Sequence, residues 1–156
     1  MTHGITRILV PSDFSESSDA AIEYARMLAH RFGATVHLLH VLLEPLLAEG
    51  VAAEAFINEP PAIRAGLVEE AKAHLNERAS GTASADVVFG QAAPAIVECA
   101  ARLDVDLIVM GSRGRTGLAH LLLGSVAEAV ARTALCPVLT VRTQRALART
   151  HANASR

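Results

Sequence analysis

The chain has no tryptophan, one tyrosine (Tyr24) and four phenylalanines among its 156 residues. Its core must therefore be aliphatic, and the aromatic platforms on which single-strand binders stack bases are missing. A formal net charge of -2 supplies no long-range field toward nucleic acid or anionic lipid. No stretch approaches the ~20 consecutive apolar residues of a membrane span. Residues 1–10 read as one short apolar strand without a signal-peptide pattern. The two cysteines, Cys99 and Cys136, have no C-x-x-C spacing, and a reduced, cytoplasmic setting is expected. In that setting the Asn153-Ala154-Ser155 sequon is a chance match.

What is present is a folding sequence. Hydrophobic residues make up 51% and charged residues 19%, a balance that opposes disorder. The length suits one domain able to bury its own core without disulfides or metals. Residues 5–10, 35–42, 86–89, 106–110 and 137–141 read as strands, several of them nearly continuous in Val, Ile and Leu, as in parallel strands covered on both faces. Between them, Ala21, Ile22, Ala25, Leu28, Ala29 and Phe32 make one helical stripe, with Ser15 as its N-cap and Gly33 as its stop. A second helix is expected over residues 63–79, and a third from Pro94 as its first residue. A fourth is expected from Ser125 to about Ala134, where Ser125-Val126-Ala127-Glu128 matches a capping box.

Strands alternating with helices imply right-handed crossovers and an α/β fold, an open doubly wound five-stranded parallel sheet with helices on both faces. The domain is expected to occupy residues 1–142, with residues 143–156 as a basic, flexible tail. Residues 44–61, ending in Pro60-Pro61, are longer than an ordinary βα loop and suggest a flap.

The chemistry concentrates in Gly111-Ser112-Arg113-Gly114-Arg115-Thr116-Gly117 and in Gly124-Ser125-Val126. This stretch leaves the fourth strand and enters the fourth helix, where open α/β sheets bind ligands. Glycines let the main chain approach a polyphosphate or adopt positive φ. Successive amides make an anion nest, and a helix N-terminus adds unpaired N–H groups and a positive dipole end.

The Gly111-x2-Gly114-x9-Gly124-Ser125 spacing resembles that of the universal stress protein family. So does the opening strand followed by Pro11-Ser12-Asp13-Phe14-Ser15, and the resemblance runs from Ile5 to about Val141. It implies a strand order of 3-2-1-4-5, related to adenine-nucleotide α-hydrolases, and binding of ATP with Mg²⁺. Pro11, Ser12, Asp13 and Val41 would line the adenosine side. Gly111, Gly114, Gly124, Ser125 and Val126 would hold ribose and phosphates, with Arg113 nearby. Asp13 would either contact adenosine or help to hold the metal, and Ser125 would either cap the helix or donate to a phosphate. A homodimer formed through the fifth strand is a further implication.

Other motifs are absent or weak. No G-x-x-x-x-G-K-[ST] loop and no G-x-G-x-x-G fingerprint occur. The first loop carries no glycine where related adenylating enzymes place a Ser-Gly-Gly loop. His37 and His40 fall on opposite faces of one strand and read as core or edge histidines rather than a metal pair. His120 reads as a solvated loop residue, Leu121-Leu122-Leu123 as packing beneath the loop, and both cysteines as small buried apolar groups. The function expected is a nucleotide-dependent regulatory or stress-response module with at most slow hydrolysis. The alternatives are an ATPase or phosphotransferase built on Asp13 and the loop arginines, and a dimeric adaptor indifferent to nucleotide.

Overall fold

A computed structural model describes residues 4–43, 60–79, 83–113 and 123–143. Within these, the strands are β1 (Arg7–Pro11), β2 (Thr35–Leu43), β3 (Ala83–Gly90), β4 (Leu107–Gly111) and β5 (Val138–Val141). The helices are α1 (Glu16–Phe32), α2 (Pro61–Ala79), α3 (Ala92–Arg102) and α4 (Ser125–Thr133). All strand pairs are parallel and the order is β3-β2-β1-β4-β5, the doubly wound sheet expected.

The two faces of the sheet follow from strand alternation. Ile8, Val10, Leu38, Leu107 and Val109 pack with Ala21, Ile22 and Ala25 of α1 and Leu75 and Ala79 of α2. Leu9, Leu39, Ile108 and Met110 point the other way, against Ile96, Cys99 and Ala100 of α3 and Ala127 and Val130 of α4. Each fully buried Leu, Ile or Val contributes about 1.5–3 kcal/mol. Exposed ion pairs such as Arg7–Asp104 contribute about 0–1 kcal/mol, so the aliphatic core dominates stability. Leu123 packs on the second layer, as expected of the leucine run, while Leu121 and Leu122 lie outside the described residues.

Local signals set most helix ends. Ser15 is extended (φ -79, ψ 160) and its Oγ accepts the Ser18 N–H, so it caps α1 as expected. Gly33 closes the helix in the left-handed region at φ 68, which glycine reaches without a side-chain penalty. Three expected starts need correction. α2 begins at Pro61, two residues before Ile63. α3 begins at Ala92, with Gln91 as N-cap, which places Pro94 third in the helix. That position is also in the first turn, where the missing N–H costs nothing. α4 is capped by Gly124 rather than by Ser125, with no side-chain cap bond. Gly124 holds the extended N-cap conformation (φ -71, ψ 154), so Ser125 is already helical and the capping box does not form.

At the amino ends of the strands, Asp106 ties β1 to β4. Its Oδ2 accepts from Thr6 N at 2.8 Å, Thr6 Oγ1 at 2.7 Å and Arg7 N at 2.9 Å. The side-chain bond from Thr6, then the two amides, hold the Asp106 carboxyl below its ordinary range. The opposite ends of β1 and β4, neighbours at the point where the winding reverses, are left to build a site.

Candidate functional site

A cleft of about 680 Å³ opens at the carboxyl ends of β1, β2 and β4, within the range of small-molecule sites. Pro11, Ser12, Asp13, Val41, Gly111, Arg113, Gly124, Ser125 and Val126 all line it. These are the expected site residues with one exception, Gly114, which lies outside the described residues, as do His120, most of the 44–61 segment and the tail beyond residue 143. The sequence reading missed Ser18, Leu39, His40, Leu42, Leu43, Met110 and Ala127, and also Ala92 and Ile96 of α3. A signal for two of them was available: Leu39 and Leu43 share the strand face of Val41, two residues to either side.

The β1–α1 turn is bound from within. Ser12 N donates to Leu39 O at 2.8 Å, extending the ladder past the end of β1. Ser12 and Ser18 are buried with their hydroxyls 3.1 Å apart. The Ser18 hydroxyl donates its one proton to Ser15 O at 2.9 Å, so Ser12 Oγ is the donor to Ser18. Ser12 Oγ in turn accepts from Phe14 N at 3.2 Å. Asp13 Oδ1 accepts from Ser15 N at 3.1 Å and from Ser15 Oγ at 2.5 Å, which orients the carboxyl in the cleft wall. Phe14 sits at φ 64, a left-handed conformation that costs a side-chain-bearing residue about 1–2 kcal/mol.

On the other side, Ser112 N donates to Val141 O at 2.8 Å, and Gly124 N donates to Ser112 O at 2.7 Å. That second bond joins the two ends of the glycine loop. The first intrahelical bond of α4 runs from Glu128 N to Gly124 O, so the amides of Ser125, Val126 and Ala127 have no partner within the helix. All three residues line the cleft. The loss of the capping box is thus consistent with a helix end left open toward a ligand. Arg113 adds a cation to the same wall.

The role of the glycines is narrower than expected. Neither Gly111 nor Gly124 takes a positive φ. Gly111 is instead required by packing, because a Cβ there would lie 2.6 Å from Ser17 Oγ and 2.8 Å from Ser17 C of α1. Arg113 N reaches the same Ser17 Oγ at 3.4 Å.

Of the two strand histidines, His40 lines the cleft and His37 turns to β3. His37 Nδ1 lies 2.6 Å from Ser84 Oγ, and its Nε2 lies 3.2 Å from Asp86 Oδ2. His40 Nδ1 reaches Ser12 O at 2.7 Å. Among the described residues, no group of three or more His, Cys, Asp or Glu side chains could hold a metal ion, and no helix is long and apolar enough to cross a membrane.

Residues 4–142 match the family model described as the universal stress protein family. Universal stress protein A homolog 2 of Coxiella burnetii is 39% identical over 145 residues, covering 87% of this chain and 94% of that protein. Universal stress protein MJ0577 of Methanocaldococcus jannaschii is 34% identical over 155 residues, covering 87% and 94%. The solved structure of MJ0577 superimposes with a TM-score of 0.76 at 34% identity, covering 89% of this chain and 96% of that one. A universal stress protein solved in complex with cAMP aligns with a TM-score of 0.58 at 27% identity, covering 89% and 98%. With the β3-β2-β1-β4-β5 sheet and the cleft at its switch point, these likenesses establish that the chain belongs to the universal stress protein family.

Proposed function

We propose that the cleft binds an adenine nucleotide, ATP with Mg²⁺, and that occupancy makes the chain a nucleotide-dependent regulatory module. The observation that carries this reading is the convergence on one cleft of the Pro11–Asp13 corner and the start of α4, whose first amides no side chain caps. The apolar floor of Leu39, Val41 and Ile96 suits a purine ring, while Arg113 and the α4 amides suit phosphates. A Mg²⁺ ion fits as a companion of the phosphates, because such ions take one or two carboxylates plus phosphate oxygens. Asp13, oriented by Ser15, is the residue that would hold it, and the ion would neutralise phosphate charge.

Calorimetry of nucleotide-free protein with Mg-ATP tests the reading, which predicts saturable binding. A silent titration of folded protein overturns it. The solved cAMP complex of a relative favours a second reading, in which a cyclic nucleotide occupies the cleft, so cAMP belongs in the same titration. Hydrolysis is proposed to be slow at most. Substantial phosphate release abolished by Asp13→Ala would instead support an ATPase. The chain is also proposed to dimerise through β5, a sheet edge entered by Leu135, which is 91% exposed. Light scattering at the mass of one chain would remove that part of the reading.

A further inference from the structure

We propose that His40 is a positioning residue of the cleft, fixing the Ser12–Asp13 peptide through its ring nitrogen; the inference rests on the nucleotide reading above. The register pairs Pro11 with Leu39, which brings Ser12 beside His40 at the next rung. The Ser12 N–H still makes a ladder bond to Leu39 O, but its carbonyl is taken by the His40 side chain at 2.7 Å. A carbonyl can only accept, so His40 Nδ1 carries the proton. The peptide is trans, and fixing its carbonyl also fixes the direction of the Asp13 N–H on the opposite side.

A second contact closes the arrangement. The left-handed turn at Phe14 folds its ring back onto the His40 imidazole, with centroids 4.2 Å apart and planes at 24°. His40 therefore holds Ser12 by a hydrogen bond and Phe14 by stacking, and Asp13 is the residue enclosed between them. Beyond Phe14, α2 contributes the Arg78 guanidinium 5.0 Å from the ring centroid and the His74 ring at 5.7 Å. Arg78 Nε also binds Asp19 Oδ1 of α1 at 2.7 Å. The position of Asp13 in the cleft is thus tied to β2 directly and to α2 through one aromatic ring. A histidine serving only as packing would owe nothing to its Nδ1 proton.

Two variants separate the proton from the ring. His40→Asn places an amide nitrogen near the position of Nδ1 and keeps the donor, whereas His40→Phe keeps a stacking ring and loses it. Calorimetry with Mg-ATP is expected to show affinity about tenfold weaker for His40→Phe and within about threefold of the parent for His40→Asn. In the ¹H–¹⁵N spectrum of nucleotide-free protein, the Asp13 and Phe14 amides should move in His40→Phe and stay near their parent positions in His40→Asn. Should His40→Phe fail to fold, His40→Met takes its place, since it too lacks the donor. Parent-like affinity in the donor-less variant, or equal losses in both variants, overturns the assignment. If the parent protein ignores Mg-ATP, the nucleotide reading falls, and the two amide positions still decide whether His40 fixes the turn.

Discussion

Gly111 lies against the main chain of Ser17 with no room for one more carbon: a Cβ would stand 2.6 Å from Ser17 Oγ and 2.8 Å from its carbonyl carbon. The end of β4 and the first turn of α1 are packed backbone to backbone, and this contact brings the two loops of the cleft together. Gly111→Ala must push α1 outward, which overpacking studies put at about 1–3 kcal/mol. Thermal melting should fall by about 2–12 °C for a domain of this size. Adding Ser17→Ala removes only the nearest atom, the hydroxyl oxygen, and should restore part of the loss. An unchanged melting temperature in the single variant would mean that the helix is not seated as described.

Asp106 makes stability depend on pH in a defined direction. Thr6 Oγ1, Thr6 N and Arg7 N bind its charged form, so its folded pKa is lowered relative to the unfolded chain. A depressed acid contributes stability that is fully present above the unfolded carboxylate pKa of about 3.9 and is lost as pH falls through the lower folded value. Asp106→Asn should therefore shift the denaturant midpoint downward at pH 7. The gap to the parent should narrow below about pH 4. A gap that stays constant down to pH 3 would show that the carboxylate charge is not what these donors hold.

Much of this architecture is legible in the sequence, for physical reasons that also explain what is not. Ile8–Val10 and Leu107–Met110 read as strands because residues covered on both faces must be apolar without a break. The pairing of β1 with β4, by contrast, is a long-range choice, and it was reached through a family resemblance rather than from either run; its register, Ile8 against Leu107, was not legible. Ser15 was legible as a cap because its side chain makes the bond. Ser125 was not, because the preceding Gly124 takes the cap through main-chain conformation alone. Gly111 was singled out for its approach to a phosphate, but what the packing requires of it comes from Ser17, and no local pattern joins the two. Phe14 at φ 64 gave no warning, since bulky residues rarely adopt that conformation.

The cysteines should be poor nucleophiles in the folded chain. Burial raises the Cys99 thiol above its usual range, outweighing the lowering effect of Arg102, and burial likewise raises half-buried Cys136. At pH 7.5 both should carry less thiolate than a free cysteine, and iodoacetamide should label them slowly. Cys136 should react before the buried Cys99, and denaturant should equalise them. Rapid labelling of native Cys99 would contradict its place among Ile96, Ile108 and Val130.

Two serines at helix starts offer the sharpest separation of structure from binding. Ser15 Oγ accepts the Ser18 N–H and donates to Asp13, so Ser15→Ala removes a cap worth about 1 kcal/mol and should lower the melting temperature by about 2–4 °C. Ser125 makes no cap bond and stands first in α4, where alanine is the better helix former, so Ser125→Ala should leave stability within about 0.5 kcal/mol. If its hydroxyl donates to a bound phosphate, losing a bond to a charged group should weaken Mg-ATP binding by about tenfold or more. Melting curves and calorimetry should then set the two variants apart, with Ser125→Ala changing affinity but not stability and Ser15→Ala lowering stability. Equal destabilisation of the two variants would return Ser125 to the role of a cap. Unaltered affinity in Ser125→Ala would leave phosphate recognition to the amides of α4.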